Sequence, residues 1–343
     1  GLRLLPPEKG ERWLPLFQTR RLSMRARPNA PLSKATGAAD PALPAYGIPG
    51  PTREKEGTPT MEKALKRYFP IFVLPTLAAF IIGFLIPFVQ GLYLSFCRFT
   101  TVGNAQVVGI GNYLKAFADS TFTYSFWFTV LFAAVSTVVI NVLAFLVALL
   151  LTRAIKGTNV FRTIFFMPNL IGGIVLGYIW QILINCVLSL AGKPLLALNT
   201  AAGYWGLIIL MAWQQIGYMM IIYIAGLQSV PGDLLEAAQI DGATSWQTLW
   251  KIKIPMVMSS ITICVFLTLT NSFKLFDQNL ALTKGEPSHT TEMLAYNIYN
   301  TFYARSGPQW KGIGQAKAVI FFVLVVAIGL IQLRATRSRE VQQ

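Results

Sequence analysis

Six stretches of this chain stay apolar for long enough to cross a bilayer: roughly Ile71–Cys97, Tyr124–Leu151, Ile164–Cys186, Tyr204–Leu227, Ile254–Phe273 and Ala318–Leu333. A helix rises about 1.5 Å per residue and the hydrocarbon layer is about 30 Å thick, so one crossing takes about 20 residues. Pro75 and Pro87 interrupt the first run and Gly172 and Gly173 the third; membrane helices tolerate such breaks where neighbouring helices satisfy the freed backbone groups. The pattern predicts an all-α polytopic membrane protein, with six transmembrane helices in one domain over residues 61–343. Residues 1–60 are rich in Pro, Gly, Ala and Arg and carry neither a helical nor a strand period. They read as a disordered N-terminal extension, and Met61-Glu-Lys-Ala-Leu-Lys-Arg67 as a natural start before the first run.

Composition agrees with the periodicity: 54% of the 343 residues are hydrophobic and 13% charged, and the mean hydropathy is +0.53, outside the range of soluble domains. The net charge of +15 does not point to nucleic acid, because the basic residues crowd into the N-terminal tail and short loops instead of an aromatic-interleaved groove. They set orientation instead. Lys63, Lys66 and Arg67, then Arg153, Lys156 and Arg162, then Lys251 and Lys253, then Arg334, Arg337 and Arg339 all fall on one side if there are six crossings. The opposite loops carry fewer: Arg98 and Lys115, Lys193, and Lys284, Arg305 and Lys311 in a long one. Both termini and the loop containing Lys251 are therefore predicted to be cytoplasmic. Cys97, Cys186 and Cys264 fall in or beside apolar runs without metal-ligand spacing, and His289 stands without a partner pattern, so no metal site is expected.

Two loops carry local signals. In the long outer loop, Phe276–Lys317, the residues Met293, Leu294, Ile298 and Phe302 approximate a helical stripe, predicting a short helix along the outer membrane surface. On the basic side, Val230-Pro-Gly-Asp233 ends one membrane helix, and Asp233 with Glu236 suits a capping box that opens another. Gly242 can end that helix in a left-handed conformation, Thr244 or Ser245 can cap a second short helix through Trp246, Leu249 and Trp250, and Pro255 can open the fifth crossing. Ala237, Ala238 and Gly242 add little bulk and would let another protein approach the backbone; an amphipathic turn lying on lipid is the plainer reading.

Glu236-Ala-Ala, three residues, Gly242, nine residues, then Ile252-Lys-Ile-Pro255 resembles the cytoplasmic loop of permease subunits of binding-protein-dependent ABC importers, with Ile254 where that family usually has Leu. Gly226-Leu-Gln-Ser-Val-Pro-Gly-Asp-Leu-Leu-Glu236, Phe273-Lys-Leu-Phe-Asp277 and Leu282-Thr-Lys-Gly-Glu-Pro287 are similar to landmarks of the sugar-type permeases, of the maltose and multiple-sugar kind and the first-permease type. Gly285-Glu-Pro287 replaces the usual Gly-Gly-Pro, and Gln315-Ala-Lys317 replaces a run of small residues. The resemblance implies a type I ABC importer permease fold in a bacterial cytoplasmic membrane. It also implies a coupling helix, seated in a cleft of a separate ATPase through Asp233, Glu236, Ala237, Ala238, Asp241 and Gly242. The implied partners are a second homologous permease, two copies of the ATPase, membrane lipid, a sugar substrate, and an extracytoplasmic solute-binding protein that docks on the outer loops Gly103–Phe117 and Lys284–Lys311. The chain has no phosphate-binding loop, so it is expected to hold no cofactor; ATP and Mg belong to the partner, and this chain is a transporter subunit, not an enzyme.

Polar side chains at membrane depth need a helix partner or a ligand. Gln214, Gln215 and Tyr218 in the fourth run and Thr268, Asn271 and Ser272 in the fifth are the candidate sugar site, with amides and hydroxyls for hydroxyl groups and an aromatic face for a pyranose. In sugar permeases of the resembled family the sugar is held at these positions. Tyr178, Gln181 and Asn185 are secondary candidates, and bonding between helices is the alternative for every one of them. Other readings are an ABC permease for an amino acid, a glycerol phosphate-like or another polar metabolite, or an ion-coupled transporter. The last usually carries Asp, Glu or His inside the membrane, whereas Lys274 and Asp277 read as lying near the outer end of the fifth helix.

Overall fold

The computed structural model describes residues 61–153 and 156–337; the predicted extension over residues 1–60 lies outside them. From Leu65 onward the chain forms one unit. Among the described residues, five helices are long and apolar enough to cross a membrane by themselves: α1 (Tyr68–Leu94), α3 (Ser120–Leu151), α5 (Gly173–Leu190), α6 (Thr200–Gln228) and a last helix whose spanning part is Pro308–Arg334. Between α1 and α3, a two-stranded ribbon pairs Cys97 with Val107 and Arg98 with Gln106, and α2 (Gly111–Ala118) follows it. A short α4 (Thr158–Phe166) precedes α5. After α6 come α7 (Gly232–Ile240), α8 (Ser245–Met256) and α9 (Met258–Phe273), the last two bent by 71°. Then follow α10 (Asp277–Leu282), α11 (Leu294–Tyr299) and α12 (Pro308–Arg337).

The centre is built from α3, α6 and α9. Phe128, Phe132, Ser136, Ile140, Ala144 and Ala148 form a buried stripe on α3, four residues apart, and Cys264, Thr268 and Ser272 repeat the spacing on α9. That interval places side chains on one helix face, and small residues let membrane helices approach closely enough for dispersion contact. Where α4 crosses α6 the approach is closest: a Cβ on Gly217 would lie 1.8 Å from the Phe165 carbonyl oxygen. By contrast α1 is unburied over its apolar window and touches α12 through the Phe88–Phe322 ring pair, 5.0 Å apart.

Three expectations from hydropathy are corrected. The third run does not form one helix over Ile164–Cys186; α4 gives way at Pro168 to a 3-10 turn, Met167–Leu170, and Gly172 is extended before α5 starts at Gly173. The fifth crossing does not run straight from Ile254. Pro255 lacks the N–H that would bond the Lys251 carbonyl, a π turn occupies Leu249–Lys253, and the chain bends before Met258. The predicted outer-surface helix is α11, but Met293 and Leu294 are fully buried, and the Leu294 N–H donates to Thr129 Oγ1 on α3 at 2.8 Å. Thr129 lies nine residues inside α3, about 13 Å from its N-terminal end, so α11 dips into the protein instead of lying across it.

Candidate functional site

The loop between α6 and α9 is shaped by its own backbone chemistry. Pro231, not Asp233, occupies the N-cap of α7, and no side chain caps it; the predicted Asp233–Glu236 capping box is absent because Asp233 already lies within the first turn. Both carboxylates are exposed. At the other end the Gly242 N–H donates to the Gln239 carbonyl at 3.1 Å and the Ala243 N–H to the Ala238 carbonyl at 2.9 Å, the bond pair of a Schellman motif. Gly242 has φ of +73°, which an L side chain adopts at a cost. Thr244 caps α8 reciprocally: the Gln247 N–H donates to Thr244 Oγ1 at 3.3 Å, and the Thr244 N–H to Gln247 Oε1 at 2.8 Å. These bonds fix an open hollow lined by Leu234, Ala237, Ala238, Asp241, Gly242, Gln247 and Lys251. Ile240 and Trp246 flank it, 87% and 68% exposed, so the loop presents apolar surface beside small residues.

The second site lies at the level of Gln214, the midpoint of the 29-residue α6. Here two crossings are broken together. Gln214 Nε2 donates to the Ile171 carbonyl at 3.1 Å, satisfying a backbone acceptor freed by the break before α5. Gln278 Nε2 donates to Gln214 Oε1 at 2.7 Å, which places the start of α10 at the same level. The first part of the fifth crossing is therefore α9, and α10 continues it along α5, with Gly177 and Ala281 in contact. Lys274 caps the C-terminal end of α9 and Asp277 opens α10, both exposed on either side of this second break, which falls within the crossing. Hydropathy missed this because the break occupies only Lys274–Phe276 between two apolar segments.

The six predicted sugar residues divide. Thr268 and Ser272 are fully buried and bond between helices: Asn141 Nδ2 on α3 donates to Thr268 Oγ1 at 3.2 Å, and Ser272 Oγ lies 2.9 Å from Ser136 Oγ. Tyr223 completes this network by donating to Asn141 Oδ1 at 2.7 Å. Gln214 is committed to Ile171 and Gln278. Asn271 Nδ2 donates to Gln215 Oε1 at 3.2 Å, and both side chains, like Tyr218, remain half-buried. Gln181 donates to the Leu282 carbonyl at 2.9 Å and Asn185 accepts from the Leu196 N–H at 2.9 Å, while Tyr178 lies outside the polar set, 6.0 Å from Lys284 Nζ.

A buried charge cluster closes the end of the molecule at the N-terminus of α3. Lys317, which marks a loop boundary in the sequence, is fully buried on α12 and donates to Asp119 Oδ2 at 2.8 Å, Asn297 Oδ1 at 2.9 Å and Thr301 Oγ1 at 2.8 Å. Arg305 reaches the same Asp119 oxygen at 3.3 Å. Burial pushes the Asp119 carboxyl up, but hydrogen bonds from Lys317 and Thr121 and the charges of Lys317 and Arg305 outweigh it and hold the group at about 2.

Breaks at mid-depth in two crossings, a polar set between them and a soluble loop joined to one of them define a multi-pass membrane transporter subunit. The family model for the binding-protein-dependent transport system inner membrane component matches residues 155–339. The chain is 43% identical over 284 residues to a probable starch degradation products transport system permease protein of Thermoanaerobacterium thermosulfurigenes, covering 80% of this chain and 96% of that one. It is 32% identical over 292 residues to a multiple sugar-binding transport system permease protein of Streptococcus mutans serotype c, covering 82% and 100%. In fold it is similar to a bacterial ABC transporter involved in the import of alginate, with a TM-score of 0.69 at 21% identity over 81% of this chain and 98% of that one. The chain belongs to the family of binding-protein-dependent transport system inner membrane components.

Proposed function

We propose that this chain is the permease subunit of an ATP-driven importer for a sugar or oligosaccharide, with the solute held at the double break and the α7–α8 loop seated on a separate ATPase. The observation that carries the reading is the Gln215–Asn271 pair beside Tyr218. These groups sit at the midpoint of α6, where two crossings lose their helical bonds, and they remain partly open after Thr268 and Ser272 are used between helices. Amide and phenol groups suit neutral hydroxyls, and neither α6 nor α9 contains Arg or Lys to bind an anion. The relatives named for starch products and multiple sugars support the same substrate class.

Asp233, Glu236, Ala237, Ala238, Asp241 and Gly242 form the ATPase contact in this reading. ATP and Mg are bound by that partner, two copies of it serve one importer, and a second permease covers the exposed half of the pathway. An extracytoplasmic binding protein delivers the solute to the outer face, with both termini of this chain on the inner side of a bacterial cytoplasmic membrane. In proteoliposomes containing the complete importer, Gln215→Ala with Tyr218→Ala abolishes ATP-dependent uptake of a labelled starch-derived oligosaccharide while the complex still assembles. Unchanged uptake in that variant rejects the site.

A further inference from the structure

Four aromatic rings climb from the break at Phe276 toward the outer end of the molecule. Phe276 lies 6.0 Å from Tyr296 and 5.2 Å from Tyr299, and Tyr299 lies 4.9 Å from Tyr303, centroid to centroid. Tyr296, Tyr299 and Tyr303 recur at helical spacing on α11 and its continuation, so they share one face. That segment rises from the depth of Thr129, where Leu294 is bonded, to Arg305, which reaches Asp119 at the outer end of α3. Its other face is anchored, because Met293, Leu294, Asn297 and Thr301 are buried against α3 and α12. Tyr296 is buried, 8% exposed, and backs the strip, while Tyr299 and Tyr303 remain 40% and 69% exposed.

We infer that this strip is an extended subsite for oligosaccharide, on which sugar units beyond the one held at Gln215 and Asn271 rest while the chain enters; the inference builds on the sugar-importer reading. Two observations favour sugar over lipid as the occupant. Phe276 is followed by Asp277 and then Gln278, which bonds Gln214 at 2.7 Å, so the near end of the strip lies at the level of Gln215, the next residue on α6. Lys274 and Asp277, exposed on either side of Phe276, are charged groups at the midpoint of the crossing, and charged side chains at that depth face water or a partner, not acyl chains. Successive rings about 5 Å apart offer repeated apolar faces to a chain of pyranose units, and the tyrosine hydroxyls offer bonds at the edges.

The test uses the complete importer with its binding protein in proteoliposomes, comparing maltose with maltohexaose. Tyr299→Leu with Tyr303→Leu keeps apolar bulk and removes both ring faces. Maltohexaose uptake should fall about tenfold while maltose uptake falls less than threefold, since each lost aromatic contact costs several-fold. Tyr299→Phe with Tyr303→Phe should retain the preference for the long chain. As a measurement that does not depend on the Leu variant assembling, Tyr303→Cys in a Cys186→Ala background should react with an impermeant thiol reagent more slowly when maltohexaose is present. Equal losses for both sugars, or labelling indifferent to maltohexaose, would overturn the strip and leave it a lipid-interface belt or a contact for the second permease. If Gln215→Ala with Tyr218→Ala abolishes uptake of both sugars while the strip variants are indifferent to length, the central site stands and the strip alone is rejected. If that variant also transports normally, the central reading fails with it.

Discussion

Replacing Gly242 separates its role in the turn from the partner contact proposed for it. Its φ of +73° ends α7, and among the described residues nothing beyond its chain neighbours lies within 4 Å of where a Cβ would sit. Gly242→Ala therefore meets no internal clash, and its cost is the left-handed backbone alone, about 1–2 kcal/mol. That is a shift of about 5–30-fold away from the conformation that holds the Schellman bonds. Gly242→Asn relieves much of this cost, because Asn tolerates the left-handed region, but it carries three more heavy atoms into the hollow beside Ala237 and Ala238. If a partner surface closes on this backbone, Asn impairs coupling at least as strongly as Ala. ATP hydrolysis and sugar uptake, measured in parallel in the reconstituted importer, give the sugar moved per ATP consumed. Both variants should lower that ratio, with Asn at or below Ala. A normal ratio for Asn with a reduced one for Ala would leave turn geometry as the whole role of Gly242; normal ratios for both would refute the contact.

Tyr223→Phe strips the hydroxyl from Asn141 at the junction of α3, α6 and α9 and should destabilise the subunit by about 0.6 kcal/mol, and at most about 1.7, read from unfolding in mixed micelles with transport retained. Lys317→Met removes three donors and leaves Asp119 with Arg305 as its remaining ion-pair partner; breaking a buried pair on one side costs about 3–5 kcal/mol, seen as a large drop in the melting temperature of the purified complex. The pH dependence follows the sign of the Asp119 shift. Its carboxyl is held at about 2, below the ordinary 3.8, so the stabilisation is complete above that ordinary value and is lost as pH falls through about 2. Melting curves should lose this component across that window in the native protein and show none of it in Asp119→Asn.

The apolar runs made the crossings legible, because burial in lipid demands a length that no soluble helix needs. Hydropathy averages over a window, however: the break in the third run was visible through Gly172 and Gly173, whereas the one at Lys274–Phe276 carries no Gly or Pro and is shorter than any window. Local caps divided the same way. Thr244 and Gly242 act through bonds within a few residues and were readable, whereas Asp233 was displaced from the N-cap by the proline two positions earlier. The polarity of Thr268 and Ser272 was visible, but their partners Asn141 and Ser136 lie on α3 more than a hundred residues away, and without that pairing a structural hydroxyl looks like a ligand. Lys317 stood out in the sequence only as a departure from a run of small residues, and its role was hidden for the same reason: its three acceptors come from the end of α2 and from the α11 segment, which only the fold brings together.

The 71° bend between α8 and α9 gives the molecule a pivot with unequal arms. Asn271 stands thirteen residues beyond Met258, about 20 Å along the helix axis. A rotation of α9 by about 10° about the bend would sweep Asn271 through about 3 Å, far more than its bond to Gln215 tolerates. If this pair holds the solute as proposed, its grip would release at an angular movement too small to unfold either helix.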